Sequence, residues 1–494
     1  MNNNHIIQKV FVEITVSNKE KAYGIKDDIS SFLSVDVFPE IEKYVDALKR
    51  RFPDQTLQIP KLELNLEVKN SALDTELKNT IIQRFKEQLS GITEPVLSAE
   101  HERESSSEAH LVGSTEKMIQ TFIYFLEYGT MPWWHPDKKG INFLDPTVFE
   151  NLISAGHFPK IIRSVLPKQK VRDRLIHQLP DVQLARLCQV ILKDQKTEIS
   201  LGPEMIRSIS GLSLPDRMMV WQLLLNAVSE LTDPSNSNFQ TYLIQQIGKT
   251  ITTEKVQAEA IRKNLNTIIR VFPFLKKEEI EKEITRILKI SQPDLPEHAK
   301  SLSEAMRERE QPLFEKAIPE ETIPKEAIPD DGQYVPHAGL VLIHPFIKTF
   351  FEHCGLLDPK TLQLLDPELG VHLLHYIATG KTNAPEYDMV FEKFLCNIPA
   401  HQPISRHVKL SRKHKTEAKN VIESVRYNWS PMKNSSVALL QNEFFQRPGK
   451  LVVTDYDYTL TVERKTQDIL LDKLAWGIGL VKLPWKEKFV YVNW

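Results

Sequence analysis

Cysteine is scarce in this chain: three residues in 494, at Cys188, Cys354 and Cys396. They are widely separated, each among apolar neighbours, which excludes a disulfide framework and a CxxC metal site and fits reduced, buried thiols of a cytosolic protein. Charge of one sign is also lacking. A formal net charge of -2 argues against a polyanion partner, since phosphate binding needs a concentrated excess of Lys and Arg. No run approaches ~18 consecutive apolar residues, so no membrane insertion is expected. The opening MNNNHIIQKVFVEITV has no uninterrupted apolar core and reads as a strand, not a signal peptide. GxxxxGK[ST], GxGxxG, GxSxG and HExxH are all absent, which removes the usual footholds for nucleotide, α/β-hydrolase and zinc-protease chemistry. A soluble chain of cytoplasmic origin is expected.

What is present divides into five stretches. Residues 1–92 read as a β-α-β-α unit. Val10, Val12, Ile14 and Val16 alternate onto one strand face, and Leu62, Leu64, Leu66 and Val68 onto another. Between them, Ile29, Phe32, Leu33, Val37, Ile41, Tyr44, Val45 and Leu48 recur at helical spacing up to the break at Pro53 and Asp54. A second amphipathic helix is expected over about Asp74–Leu89. Residues 93–114 have few bulky apolar side chains and are rich in Ser and Glu, the composition of a flexible linker.

Residues 115–291 are patterned as helices throughout. Ile119, Phe122, Ile123 and Leu126 form one stripe, followed by VFENLISAGHF, VRDRLIHQLP, VQLARLCQVIL and RMMVWQLLLNAVSEL. Short breaks imply a bundle or a short α-solenoid, and no strict repeat decides between them. Residues 292–333 repeat Ile-Pro at Pro319, Pro324 and Pro329, which predicts an extended, semi-rigid linker. At about 3.1 Å per residue its reach is on the order of 100 Å. Residues 334–494 return to mixed α+β character. YVPHAGLVLIHPFIKTFFEHCGLL, PELGVHLLHYIATG and TQDILLDKLAWGIG read as helices. LVVTDYDYTLTVE reads as a strand with Tyr456, Tyr458, Leu460 and Val462 on one face, and KFVYVNW as a strand running to Trp494. The expected fold class is α+β, multidomain and predominantly α-helical.

Four constellations bear on chemistry. LVVTDYDYTLT matches the hhhhDxDxT string of haloacid-dehalogenase-type phosphatases, with Asp455 as nucleophile and Asp457 as general acid. Tyr458 stands where that string usually has a small residue, and only 37 residues follow Asp457, too few for the remaining catalytic groups. An Asp-Tyr-Asp-Tyr hairpin turn accounts for it equally well. His337, His344, His353, His372 and His375 are dense, beside Cys354, and His372 and His375 can share a helix face. With no ligand-type spacing, and Glu368 the one nearby acid on that side, they read as hydrogen-bonded core or interfacial histidines. Arg406, His407, Lys409, Arg412, Lys413, His414, Lys415 and Lys419 form a basic cluster without interleaved aromatics, so a solvated or protein-contacting loop is expected and no nucleic-acid contact. The tryptophans are different. Trp133 and Trp134 follow Pro132, and Trp476, Trp485 and Trp494 recur about nine residues apart. All five are candidate partner-docking anchors, with helix capping and core packing as the alternatives.

The long ordered strings carry a further signal. YVPHAGLVLIHPFIKTFFEHCGLL, VHLLHYIATG, FEKFLCNIP, VERKTQDILLDKLAWGIGLVKLPW and YVNW, with HIIQKVFVEITV, LQIPKLELNLEV and FLEYGTMPWW, resemble the tape measure protein family of contractile injection systems. The resemblance implies a non-catalytic, structural protein of a phage-tail-like particle, associated with the inner tube and setting or permitting its length. It implies no catalytic, cofactor or metal residues. It implies tube, baseplate or cap subunits as partners, self-association as a further option, and cytoplasmic assembly before incorporation in the particle. A ruler calls for a long helix at ~1.5 Å per residue, whereas the middle here is broken helices. The alternatives are a cytosolic assembly scaffold or chaperone, and a metal-dependent hydrolase built on the C-terminal domain.

Overall fold

The computed structural model describes residues 5–15, 19–50, 55–59, 61–66, 73, 75–98, 110–134, 141–192, 201–230, 239–253, 258–291 and 332–494. The chain is predominantly helical, with an α+β C-terminal region. It forms two compact units, Met1–Phe122 with Trp133–Ile141, and Ile123–Pro132 with Asn142–Trp494.

In the first unit, α1 (Lys19–Phe32) runs through a π turn (Leu33–Val37) into α2 (Phe38–Lys49). Pro39 sits in the first turn of α2. It has no N–H to give to the preceding turn, which is where the ladder widens. Phe32, Val37 and Ile41 are buried with Ile81 of α3 (Thr75–Ser98), and Leu48 packs with Leu89. Leu62, Leu64 and Leu66 point inward onto these clusters, as the alternation predicts.

The expected strands are not there, however. Neither 5–15 nor 61–66 carries a ladder. Val10, Val12 and Ile14 stand 48%, 44% and 41% exposed, because alternation specifies a face and not a partner edge. Val16 and Val68 lie outside the described residues. The unit's sheet is instead β1 (Gln55–Gln58) antiparallel to β2 (His110–Gly113). The stretch expected to be a linker over 93–114 is helical to Ser98 and ends in β2; 99–109 lie outside the described residues.

Helix α4 (Ser114–Tyr128) ends at Gly129, whose N–H reaches back to Phe125 O at 2.8 Å. The second unit continues through α5 (Pro146–Ile153), α6 (Phe158–Val165), α7 (Gln169–Gln178), α8 (Asp181–Leu192), α9 (Pro203–Ser210), α10 (Leu214–Glu230), α11 (Phe239–Thr253), α12 (Ala258–Val271) and α13 (Lys277–Ser291). Asp145 opens α5 by accepting the N–H groups of Thr147 and Val148, the N-cap arrangement that satisfies otherwise orphan donors. α10 touches α7, α8, α9, α11 and α12. Leu223, Leu224 and Leu225 are consecutive and all buried, the pattern of a helix enclosed on every side. Those partners all lie within three helices of α10 in the chain, a local packing that both a bundle and a short α-solenoid show.

Residues 292–331, with the Ile-Pro repeats, lie outside the described residues. The structure resumes at Gly332, and β3 (Gln333–Val335) takes up the last residue of the expected linker. A 3-10 stretch (Ala338–Ile343) leads into α14 (His344–Cys354), followed by α15 (Pro367–Thr379), α16 (Val390–Leu395), α17 (Arg412–Asn428) and α18 (Val437–Leu440). The sheet is completed by β4 (Gly449–Val453), β5 (Tyr458–Val462), β6 (Leu480–Val481) and β7 (Val490–Asn493), in the order β3-β4-β5-β7-β6. All neighbours are antiparallel except β5 and β7.

LVVTDYDYTLTVE is thus two strands and a turn, not one strand. Thr454 Oγ1 donates to Asp457 Oδ1 at 2.9 Å and accepts the N–H groups of Tyr456 and Asp457. Tyr456 is 90% exposed at the tip, so it does not share the inward face of Leu460 and Val462. TQDILLDKLAWGIG is helical, as expected, over Thr466–Lys473, as a 3-10 helix with no buried residue that ends before Gly477 and Gly479. KFVYVNW does end in a strand, with Val490 and Val492 buried and Tyr491 and Asn493 exposed.

The units divide the chain elsewhere than the composition does. Residues 115–291 and 334–494 read as separate domains in sequence, yet Ile123–Pro132 and the described residues from Asn142 onward belong to one unit. Side chains far apart in sequence account for this.

Candidate functional site

Arg174, Glu386 and Lys393 are 0% exposed and form one charged group. Arg174 comes from α7, Glu386 from the turn before α16, and Lys393 from α16. The guanidinium donates to Glu386 through Nε at 3.1 Å and through a terminal nitrogen at 3.3 Å. It also donates to Leu126 O and, at 2.6 Å, to His401 O. Lys393 Nζ donates to Glu386 Oε1 at 2.7 Å, to Ala400 O at 2.7 Å and to Gln402 O at 2.6 Å. Burial pushes the Lys393 ammonium below its usual pKa, against the opposing pull of Glu386. Gln178 closes the group by accepting Glu386 N–H at 2.9 Å and donating to Ile404 O at 2.8 Å. The aromatic rings of Phe125, Phe143 and Tyr387 pack edge-on beside it.

Gly129 of the FLEYGTMPWW string stands against this group. Its φ is +76°, and a Cβ there would lie 2.4 Å from Ala400 O and 2.8 Å from an Arg174 nitrogen. Only glycine combines that left-handed turn with such a close approach. No spacing or motif in the sequence marks these charged partners, and Gly129 stands out there only within the FLEYGTMPWW string.

A second buried group lies within the C-terminal region. His337, at the turn after β3, and His375, on α15, both place Nδ1 on Glu392 Oε1 of α16, at 2.7 and 3.2 Å. The donor atoms of the three lie within 4.8 Å of one another. Glu392 is 0% exposed and its Oε2 has no hydrogen-bond partner. Burial acts to raise the Glu392 carboxyl, but the two imidazoles outweigh it and hold the pKa down at about 2. Burial likewise opposes a charged His337, and the Glu392 carboxylate outweighs it, holding His337 above the ordinary range.

The other histidines go elsewhere. His372 places Nε2 2.7 Å from Ser405 O, and burial pushes its pKa down to about 4. His344 places Nε2 2.9 Å from Gly477 O, and His353 lies 3.5 Å from Glu417. Cys188 and Cys396 are buried free thiols and Cys354 is half-buried. Burial raises all three, Cys188 to about 12 and Cys354 to about 11.

Asp455 and Asp457 sit at the β4–β5 turn, where Asp457 is bound by Thr454. Of the basic cluster, Arg406 donates its N–H to His177 O at 3.3 Å. Arg412, Lys413, His414, Lys415 and Lys419 are helical on α17, not in a loop, because Ser411 caps that helix by accepting His414 N–H. Lys415 lies over the Tyr376 ring.

The five tryptophans divide. Trp485 is 3% exposed and donates to Leu395 O at 2.7 Å, which makes it a core residue. Trp476 is half-buried, donates to Leu342 O at 3.1 Å and meets Phe346 edge-on. Trp494 lies beneath the Arg447 guanidinium and donates to Asp468 Oδ2 at 3.1 Å. Trp133 and Trp134 are half-buried, with Lys117 over the Trp134 ring. The most enclosed tryptophans are Trp221 and Trp429, which no pattern in the sequence marks; Trp221 donates to Asp181 at 2.7 Å and Trp429 to Leu470 O at 2.9 Å.

This geometry defines a helical α+β protein whose conspicuous charged groups are bound to one another inside the fold. The chain matches the family model of contractile injection system tape measure proteins over residues 4–494, and it belongs to that family. The family is structural, and membership implies incorporation in a contractile injection particle. No curated protein and no solved structure matches the chain. Among the described residues, no helix is long and apolar enough to cross a membrane.

Proposed function

We propose that this chain is a non-catalytic assembly protein of the injection particle, associated with the inner tube and setting or permitting its length. It assembles in the cytoplasm with tube, baseplate or cap subunits before incorporation. The observation that carries this reading is the match to the family model along 4–494. The Asp455–Asp457 turn supports it: one carboxylate is tied to its own turn by Thr454.

The scaffold reading is favoured by one specific feature. Among the described residues the longest helix, α3, has 24 residues. That spans about 36 Å at ~1.5 Å per residue, and the described helices of the middle are shorter still. Tube lengths measured by electron microscopy on particles assembled with and without the chain test both readings. Tubes of uncontrolled length in its absence support a length-setting role, and loss of all particles supports a scaffold. Normal particles of normal length would sink both.

A further inference from the structure

We propose that His337, His375 and Glu392 form a binding site for a zinc-class divalent transition metal, which ties the turn after β3 to α15 and α16. Three observations carry it. First, two imidazole Nδ1 atoms and one carboxylate converge from three separate elements, all donor atoms within 4.8 Å of one another. In a tetrahedral zinc site with bonds of about 2.0 Å, donors stand about 3.3 Å apart. His375 Nδ1 is already 3.2 Å from Glu392 Oε1, and His337 Nδ1, at 2.7 Å, needs to withdraw by about half an ångström.

Second, Glu392 Oε2 is fully enclosed and without a hydrogen-bond partner. A buried carboxylate oxygen left unsatisfied is costly, and a cation held by both oxygens of Glu392 removes that cost. Third, the environment supplies further negative charge. Half-buried Asp388 is near enough to act electrostatically on His337, His375 and Glu392. It lies outside the converging donor set, so it can take part through a metal-bound water. Two nitrogens with one carboxylate suit zinc and its neighbours, not calcium or magnesium, which take oxygen sets. The three protein donors lie 17 and 55 residues apart, which is why no ligand motif shows in the sequence.

The test uses the full chain, purified without chelator and then titrated with Zn(II) and Co(II). The expected result is one metal per chain, the d–d absorption of tetrahedral cobalt, and a thermal midpoint raised by zinc and lowered again by chelator. Glu392→Gln, which keeps the shape and hydrogen-bonding capacity of the side chain, should weaken binding by more than ~100-fold, beyond the effect of an outer-shell change. His353→Gln, remote from the group, should leave binding unchanged and guards against adventitious surface sites. Should Glu392→Gln fail to fold, the unmodified chain alone decides, through its cobalt spectrum and the zinc response of its melting. A flat cobalt spectrum with an unmoved midpoint overturns the proposal. So does binding that survives in folded Glu392→Gln or disappears in His353→Gln.

Discussion

Arg174 and Glu386 stand 212 residues apart in sequence and meet through two hydrogen bonds, at 3.1 and 3.3 Å, with neither side chain exposed to solvent. Glu386 also neutralises Lys393, so one carboxylate holds two buried cations. Removing that carboxylate leaves both uncompensated. Glu386→Gln is therefore expected to destabilise the protein by about 3–5 kcal/mol, the usual cost of breaking a buried pair. Arg174→Met, which leaves Glu386 paired with Lys393, should cost less. Urea denaturation of the two variants beside the parent checks the order, and the reverse order would refute the charge argument.

Gly129→Ala and Gly91→Ala should move stability in opposite directions. At Gly129 the φ of +76° and the nearby Ala400 carbonyl both oppose a side chain. The left-handed conformation alone costs about 1–2 kcal/mol. Gly91 lies inside α3 with nothing within 4 Å of an added Cβ, so alanine there should stabilise by roughly 0.5–1 kcal/mol. Thermal melts of both variants decide.

His372 gives the protein an acid-sensitive margin. Its imidazole is buried, and its pKa falls from the ordinary 6.5 to about 4. A depressed histidine is neutral when folded and protonated when unfolded at mildly acid pH. Its contribution is therefore fully present above about 6.5 and is lost progressively as pH falls through 6.5 towards 4. The linked effect is on the order of 3 kcal/mol. His372→Gln cannot titrate, so the difference in stability between parent and variant should change across this window and stay flat above it.

Deleting Phe489–Trp494 should unfold the C-terminal region and not merely shorten it. β7 lies between β5 and β6, with Val490 and Val492 buried, and each buried apolar side chain contributes about 1.5–3 kcal/mol. The deletion also removes Trp494 from Arg447 and Asp468. Loss of near-ultraviolet circular dichroism is expected, with no particles or tubes of uncontrolled length in an assembly assay. Normal particles would contradict the assembly role assigned to this region.

Asp455→Asn should change neither particle assembly nor phosphatase background. Asp455 is exposed at the β4–β5 turn. Magnesium-dependent turnover of a phosphomonoester, abolished by this substitution, would overturn the non-catalytic reading.

Local patterning carried much of this fold. The buried faces of α1, α2 and α3, the inward set Leu62, Leu64 and Leu66, and the alternation Val490 to Asn493 all follow from spacing. Pairing did not follow, because alternation names a face while a ladder needs an edge. Hence 5–15 is exposed without a ladder, and β1 and β2 form where no strand was expected. Long-range polar groups were hidden for the same kind of reason. Nothing near Arg174 indicates Glu386, and nothing near His337 indicates Glu392. A charged residue among apolar neighbours was the one available signal, present in VFEKFL around both Glu392 and Lys393 and absent at Arg174, which directly follows Arg172 and Asp173. The long strings that resemble the family carried the functional class, while the tryptophans divided between core and partly exposed positions with no rule in the sequence to sort them.

Ser291 and Gly332 both belong to the second compact unit. The helices before the one and the elements after the other are tied by Arg174 and Glu386. A pull that separates these two stretches must therefore break a buried ion pair and leave its charges unpartnered.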